Sequence, residues 1–370
     1  MRVPPGARRV PAVVAATAAL ALLSGCGSKP KPARRPSTTT TTVAPTTTTA
    51  RHVAVCPLTG TPAPGGKVPQ RAALAVKVEN LAQARPQYGL DMADIVFEEP
   101  VEGGITRFIA VYQCRSSPRI EPVRSARFVD ADILEPLGQI LFAYSGAIQP
   151  VIDEIDSPTS LLDDVGANKA GGAYSVDYAR VAPHNLQTST SRLYAAAKAL
   201  GYPVKKVPPP YFTYGSLPSG GKPVSAVHIA FPLDVTSWTW DAQTSRWMRS
   251  YSDTGPAVQG DNVVISAANV VIMHVAEYPT PYVEDNTGAH ENELTLTGSG
   301  PAWVFRNGVE LTGTWRRPSL KQAAVFTETN GTRITLTPGN TWEELVPTTS
   351  PVTVSGTGPA TAPGAAPPTG

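Results

Sequence analysis

The hydrophobic and polar positions divide the ordered part of the chain, about Val53 to Pro347, into two halves with different patterns. The first half mixes short apolar runs with segments of helical spacing, whereas the second half consists of short runs separated by turn residues. The pattern predicts an α+β protein. An N-terminal mixed α/β domain over 53–207 is followed by a mainly antiparallel β domain over 223–347.

Strands and helices of the first half follow from its apolar runs and cap residues. Strands are predicted over 73–78, 94–98, 105–112 and 140–144, and helices over 126–137, 148–155 and from 188–191 to a stop at Gly201. The turn at Gly103–Gly104 joins two of these strands. It should therefore gather the polar residues Glu98, Glu99, Glu102, Thr106 and Arg107 around one hairpin end.

The second half shows almost no helical spacing. Strands are predicted over 226–231, 237–240, 246–251 and 269–275. Asn307–Gly308 and Asn330–Gly331 are typical of type I′ hairpin turns, because both central positions of that turn need a positive φ. A compact antiparallel sheet or sandwich is expected here.

An apolar segment near the N terminus predicts export. It follows Arg2, Arg8 and Arg9, is too short to span a bilayer, and ends in the lipobox-like tetrapeptide LSGC over 23–26. Residues 1–25 are therefore predicted to be a cleaved lipoprotein signal peptide. Cys26 would carry diacylglycerol on its thiol and an acyl chain such as palmitate on its amine. An ordinary signal peptide with a coincidental cysteine is the alternative.

Both ends of the mature chain lack apolar periodicity. Residues 26–52 are rich in threonine, proline and serine, and residues 348–370 in proline, glycine, threonine and alanine. Such segments cannot bury a core, so they are predicted to be a disordered tether and a disordered tail. The protein is thus placed at the extracytoplasmic face of the cell membrane, held there by its lipid anchor.

Charge and cysteine content narrow the possible partners. The formal net charge is +2, and this charge together with the export signal argues against nucleic acid as a binding partner.

Cys56 and Cys114 remain as an even pair in an oxidising compartment, where a disulfide between them would contribute about 4 kcal/mol to stability in the chain-entropy model. Two buried free thiols are the alternative. No metal site or cofactor is predicted, since ligand spacing is missing.

The candidate chemistry lies in polar stretches of the first half, because the familiar catalytic signatures are missing from the sequence. Glu98, Glu102 and His184 are the candidates for acid and base catalysis. Arg124 and Arg127 stand at the start of a predicted helix, where backbone N–H groups and guanidinium forks favour an anion. The predicted ligand-binding residues are Arg107, Arg124, Arg127 and Asn185.

Each of these candidates also has a structural explanation. The arginines and glutamates can form a buried network that fixes the turn geometry. His184 can be a loop histidine bonded to the backbone. Neither explanation needs a ligand.

Several short motifs resemble a known family. They are CPLTG (56–60), ARPQYGL (84–90), ADIV (93–96), VEGGITRF (101–108), PVRSAR (122–127), APHNL (182–186) and the closing GNTWEELVP (339–347). In this order they resemble the YerB-like bacterial lipoproteins, over nearly the whole ordered core. The resemblance implies an uncharacterised N-terminal domain, a C-terminal β domain and a lipid anchor, with no reaction to transfer.

Two functions from different classes follow. The first is a binding or scaffold lipoprotein of the cell envelope, which holds an anionic envelope ligand or a wall-synthesis protein. The second is an envelope hydrolase or transferase that uses a glutamate and His184 on peptidoglycan or another glycan. Convergence of Glu102, Arg107, Arg124, Arg127 and His184 on an open cleft would favour a ligand site, and separate buried pairs would favour a structural role.

Overall fold

A computed structural model describes residues 53–217, 220–284 and 288–356 of the chain. The predicted signal peptide, Cys26 and the tether lie outside the described residues. All of the described residues belong to one compact unit.

The described chain contains twenty-one strands and three α-helices. In chain order the strands are β1 (Leu74–Glu79), β2 (Ile95–Pro100), β3 (Thr106–Tyr112), β4 (Ile140–Ala143), β5 (Leu162–Asp164), β6 (Ser175–Val176), β7 (Leu186–Gln187), β8 (Lys222–Pro223), β9 (Ala226–Ala230), β10 (Val235–Asp241), β11 (Arg246–Tyr251), β12 (Gly255–Pro256), β13 (Ser266–Ala267), β14 (Asn269–Val275), β15 (Glu277–Val283), β16 (His290–Leu294), β17 (Gly298–Arg306), β18 (Val309–Arg317), β19 (Val325–Glu328), β20 (Thr341–Pro347) and β21 (Val352–Ser355). The α-helices are α1 (Val129–Leu134), α2 (Gln149–Ile155) and α3 (Thr190–Ala199). Short 3-10 helices cover Pro64–Gly66, Ala82–Ala84, Leu90–Met92, Glu102–Gly104, Glu135–Leu137 and Gly171–Ala173.

The central sheet has eleven strands and takes members from both halves of the chain. Its order is β19-β18-β17-β14-β20-β2-β3-β1-β4-β5, with β8 paired to β18. Strand β20 lies between β14 and β2 and runs parallel to both, with Trp342 opposite Val270 on one side and Val96 on the other. The last long strand of the chain therefore joins the two halves.

A second, six-stranded sheet is antiparallel. Its order is β12-β11-β10-β9-β21, and β13 pairs with β11. This sheet and helix α3 cover one face of the central sheet, while α1 and α2 pack on the other face. The mixed sheet of the first half and the antiparallel pairings of the second half confirm the predicted α+β class.

Most predicted elements are present within one to three residues of their expected bounds. Helix α3 begins as its cap residues predict, because Ser189 Oγ accepts a hydrogen bond from the backbone of Arg192 at 3.3 Å. It is followed by Gly201 at a φ of 84°. The turn at Asn307–Gly308 has φ values of 50° and 73°, as a type I′ turn requires.

Three local predictions are wrong. At Asn330–Gly331 only the glycine has a positive φ, 87°, so the turn is not type I′. The helix predicted from residue 126 begins at Val129, because the backbone N–H groups of Arg127 and Phe128 bind the carboxylates of Asp130 and Glu291. The tail, predicted to be disordered from residue 348, contributes β21.

Strand β21 forms because the tail carries its own alternation. Val352 and Val354 are partly buried against the core, and the strand pairs antiparallel with β9. A two-residue apolar repeat is enough here, since it completes the edge of an existing sheet.

Candidate functional site

The polar motifs of the first half meet at one end of the central sheet. Arg107 of β3 lies opposite Glu79 of β1 and opposite Glu99 of β2. Directly opposed residues of an antiparallel pair share a face, so these three side chains form a row across the sheet. The surrounding set is called the ionic network and consists of Lys77, Glu79, Glu99, Glu102, Arg107, Arg124, Arg127, Asp130 and His184.

Glu102 is clamped between two arginines. Arg127 donates from Nε to Oε2 at 2.7 Å and from Nη2 to Oε1, and Arg107 donates from Nη2 to Oε1 at 3.1 Å. The 3-10 turn Glu102–Gly104 presents this carboxylate, since Gly103 and Gly104 adopt positive φ values of 69° and 75°. All three charged residues are at least nine-tenths buried.

Electrostatics hold this clamp in its ionised form. Burial opposes the charge of Glu102, but the hydrogen bond from Arg127 and the charges of Arg107 and Arg127 outweigh it and lower its pKa to about 2. Burial, together with the charge of Arg127, lowers the pKa of Arg107 to about 10. At neutral pH Glu102 therefore has no proton to give.

Lys77 is a member of the network that sequence reasoning missed. It is fully buried on β1 and pairs with the carboxylates of Glu99 and Asp130. Burial lowers its pKa to about 8, and the charge of Asp130 works against that shift. The available signal was a lysine inside an otherwise apolar strand, because a buried lysine needs a partner.

Arg124 and His184 are the partly exposed members of the network, and both contact the buried carboxylate of Glu79. Nε of Arg124 lies 3.2 Å from Oε1 of Glu79, and Nδ1 of His184 lies 2.9 Å from Oε2. The side chains of Arg124 and His184 are 25% and 18% exposed, whereas that of Glu79 is buried. This trio, called the lip below, is where the network meets solvent.

Asn185 does not contact the arginines of the network. Its Nδ2 donates to the carbonyl of Arg180 at 3.4 Å, and its carbonyl accepts from the backbone of Asp177 at 2.8 Å. Arg180 in turn donates to the carbonyls of Ala84 and Pro86 at 2.6 and 3.1 Å. Asn185 thus closes the loop over 177–185 that carries His184.

Glu98 points to the opposite face of the sheet from the ionic network. It accepts from Thr106 Oγ1 at 2.6 Å and from Arg249 Nη2 at 2.6 Å. Arg249 also lies 3.2 Å from Glu344, and it stands over the rings of Phe108, Trp238, Tyr251 and Trp342. Glu98, Arg249 and Glu344 are fully buried, so they form a closed core of charge between the two sheets.

The anion site predicted at the helix start is filled by the protein's own carboxylates. Asp130 Oδ2 accepts from the backbone of Arg127 at 2.8 Å, and Glu291 Oε1 accepts from that of Phe128 at 2.9 Å. Arg127 also lies 2.8 Å from Glu284. Strand β16, which carries Glu291, supplies a partner that the local sequence around 122–132 did not reveal.

Two further observations concern metal ions and membrane-spanning helices. Within residues 53–217, 220–284 and 288–356, no three His, Cys, Asp or Glu side chains are grouped closely enough to hold a metal ion. Over the same residues, no helix has both the length and the apolar character that crossing a bilayer would need.

Glu102, Arg107, Arg124, Arg127 and His184 therefore converge as paired groups, whereas Glu98 and Asn185 have separate partners. Glu102, Arg107 and Arg127 are buried together. Arg124 and His184 are partly exposed, and they share the buried carboxylate of Glu79. The geometry combines the two alternatives, a rigid internal network and a small exposed edge. Its exposed edge consists of the Arg124 guanidinium group, the His184 imidazole and the loop over 177–185.

Comparison with known proteins places these features in a family. Residues 58–203 match the family described as "Protein of unknown function (DUF3048) N-terminal domain", and residues 227–342 match its "C-terminal domain". The chain is similar to "Putative lipoprotein YerB" of Bacillus subtilis (strain 168), with 26% identity over 305 residues, 81% of this chain and 88% of that protein.

The fold is likewise similar to the crystal structure of the YerB protein from Bacillus subtilis. The TM-score is 0.70 at 23% identity, over 81% of this chain and 99% of that chain. The two family matches follow one another in the order that the motifs predicted and together span more than half of the chain. This protein belongs to the YerB-like family of DUF3048 proteins.

Proposed function

We propose that this protein is a lipid-anchored lipoprotein at the extracytoplasmic face of the cell membrane, where its folded unit binds a component of the cell envelope. The lipobox at 23–26 and the threonine-rich tether support the anchor, as does the name of the similar lipoprotein. The binding partner is an anionic wall polymer or a wall-synthesis protein.

The observation that carries the binding role is the surface beside the lip. In the loop over 177–185, Tyr178 is 93% exposed and Val181 is 81% exposed. Large apolar side chains presented this fully next to a cation and an imidazole are typical of recognition surfaces rather than of a stable free surface. Arg180 bonds the loop to Ala84 and Pro86, and Asn185 bonds the two ends of the loop to each other. Because the loop is already held in place, binding costs little conformational entropy.

Binding is favoured over catalysis by the state of the predicted acids. Glu98 is fully buried and accepts a hydrogen bond from Arg249. Glu102 has a pKa lowered to about 2, so it stays ionised at neutral pH. Neither matches a general acid, which needs a pKa near the working pH and access to the substrate.

A hydrolase or transferase is the second candidate, and one contact favours it. Glu79 lies 2.9 Å from Nδ1 of His184, which is the arrangement in which a carboxylate orients an imidazole and leaves Nε2 to take a proton. The experiment below separates this candidate from binding.

The test incubates the full-length protein, in detergent, with purified cell-wall sacculi. Protein in the pellet is measured by co-sedimentation, and released fragments are measured by mass spectrometry. The variants are Tyr178→Ala and Arg124→Ala, with Tyr278→Ala and Arg192→Ala as matched controls because those side chains are exposed and belong neither to the lip nor to the loop over 177–185.

Binding that falls in Tyr178→Ala and Arg124→Ala but not in the controls supports a wall-binding protein. Fragment release that disappears in His184→Ala supports the enzyme instead. If neither effect occurs, photo-crosslinking from position 181 in membranes tests the wall-synthesis partner, and an absence of specific crosslinks there would overturn the proposed role of this surface.

A further inference from the structure

A cavity lies at the opposite end of the central sheet from the ionic network. Its volume is about 460 Å³, within the range of small-molecule sites. Strands β2 and β20 begin at this end of the sheet, and the antiparallel strand β3 ends at it. Residues from both family matches line it, including Arg115 from the first and Arg246 from the second.

Arg246 is fixed in place along one edge of its guanidinium group. Nε donates to Ser266 Oγ at 3.1 Å, and Nη2 donates to Asn340 Oδ1 at 2.6 Å. Asn340 is 4% exposed and is itself held through a bond to the Ser266 carbonyl at 2.9 Å. Among the described residues Nη1 of Arg246 has no hydrogen-bond partner, so this atom is available to a ligand.

The guanidinium group of Arg115 contacts only neutral atoms among the described residues, while the backbone N–H of Arg115 donates to Oδ2 of Asp94 at 3.5 Å. Nη1 donates to the carbonyl of Ala93 at 3.3 Å, and Nη2 lies 3.6 Å from Sδ of Met92. Within the part of the chain that the structure describes, neither the guanidinium group of Arg115 nor that of Arg246 has a carboxylate within 4.0 Å. The arginines of the ionic network, by contrast, are matched by the protein's own carboxylates.

The two cations are close enough to act on each other. Burial and the charge of Arg115 lower the pKa of Arg246. Asp91 also lines the cavity, so these three groups carry a formal net charge of +1, and the buried carboxyl group of Asp94 interacts with the charge of Arg115. Two like charges that share a partly buried cavity are stabilised by a bound anion.

The remaining walls supply hydroxyl groups on a rigid loop. Thr59 and Thr61 line the cavity, and their hydroxyls lie 2.7 Å apart. The disulfide between Cys56 and Cys114 joins the loop that carries these threonines to the residue preceding Arg115. The walls are therefore covalently tied to each other, and a preorganised site loses less entropy on binding.

We propose that this cavity binds a small molecule through an oxyanion, a carboxylate or phosphate group, held between Arg115 and Arg246. Guanidinium groups recognise both kinds of oxyanion through paired N–H donors. The hydroxyls of Thr59 and Thr61 face the rest of the ligand, and Asp91 accepts from a hydroxyl or amine on it. This site lies apart from the lip and does not depend on the function proposed there.

The test is isothermal titration of the full-length protein in detergent with three probes: inorganic phosphate, glycerol 3-phosphate and gluconate. The result expected is one site per chain for at least one probe. Arg115→Ala should weaken it about tenfold to a hundredfold, the cost of losing charge-assisted hydrogen bonds. Arg192→Ala is the control, because that side chain is exposed, does not line the cavity, and donates to Ser175 Oγ at 3.0 Å.

The probes also separate the two sources of the oxyanion. Binding of glycerol 3-phosphate alone assigns a phosphate ester, and binding of gluconate alone assigns a carboxylate. Arg246→Lys is the second variant, since it keeps the charge but cannot hold both Ser266 and an anion. The proposal is overturned if no probe binds at millimolar concentration, or if Arg115→Ala leaves the affinity unchanged.

Discussion

Nε of Arg127 lies 2.7 Å from Oε2 of Glu102, and the two side chains are only 1% and 8% exposed. The pair joins the turn after β2 to the segment that leads into α1. It thereby connects two segments that lie outside the strands of the sheet and 25 positions apart in the chain. The same carboxylate also accepts a hydrogen bond from Arg107, so a single glutamate is shared by two buried cations.

Replacing this carboxylate should be costly. Glu102→Gln leaves Arg107 and Arg127 without their shared partner, and the free energy of unfolding should fall by about 3–5 kcal/mol. Urea unfolding followed by circular dichroism measures it. Asp156→Asn, which breaks an exposed pair with Lys169, is the matched control and should cost less than about 1 kcal/mol.

The same variant makes a prediction about pH. The pKa of Glu102 is lowered to about 2 in the folded protein, so its contribution is complete above about pH 4.5 and is lost as the pH falls toward 2. The difference between wild type and Glu102→Gln should therefore shrink below pH 4.5. A difference that stays constant down to pH 2 would contradict the electrostatic account.

A second pH dependence follows from Glu343, which is buried on the face of β20 opposite to Glu344. Burial raises its pKa to about 8, and the charge of Arg317 only partly offsets this. The folded protein thus binds a proton more tightly than the unfolded chain, and stability from this group falls as the pH rises from about 4.5 to 8.

Glu343→Gln should flatten that fall. The melting temperature of the variant should exceed that of the wild type increasingly between about pH 4.5 and pH 8, because the amide is neutral throughout. Differential scanning calorimetry at a series of pH values measures it, with the exposed Asp156→Asn as control. Parallel curves for wild type and Glu343→Gln would show that Glu343 does not titrate in this window.

The exposed loop allows binding and folding to be separated. Tyr178 and Val181 make little use of their side chains in the fold, so Tyr178→Ala with Val181→Ser should change the free energy of unfolding by less than about 0.5 kcal/mol. Co-sedimentation with sacculi, or crosslinking to a wall-synthesis protein, should nevertheless be reduced. Full retention of both activities would remove this loop from the binding surface.

The disulfide should contribute measurably to stability. Cys56 and Cys114 are 58 residues apart, and closing a loop of that length is worth about 4 kcal/mol in the chain-entropy model. Cys114→Ser should lower the urea midpoint accordingly, and reductant should have the same effect on the wild type. A Cys56→Ser/Cys114→Ser double variant should match the single one, and additive losses would contradict this account.

Much of the fold was predictable from local pattern. Apolar runs located the strands of the first half, and Ser189 and Gly201 marked the ends of α3. The motifs identified the family. The turn residues placed Glu102 and Arg107 at one hairpin end, and the sequence left open whether Arg127 joins them.

The site was less predictable, because its partners come from distant elements. Glu291 on β16 and Arg249 on β11 carry no local sign that they face Phe128 and Glu98. Arg115 and Arg246 lie 131 positions apart in the numbering, and the cavity that they share exists only once β20 has been placed. Hydrophobic periodicity cannot supply such pairings.

The sequence by itself determined where most strands and helices form and which residues turn the chain, since these depend on contacts between near neighbours. Its motifs also identified the family. Tertiary structure alone decided that β20 runs parallel between β2 and β14 and that the tail adds β21. It also decided that Glu98 and Glu99 belong to different clusters. The physical reason is that parallel pairing is non-local and that adjacent strand residues face opposite sides of a sheet, so each side chain's partners depend on what packs against its face.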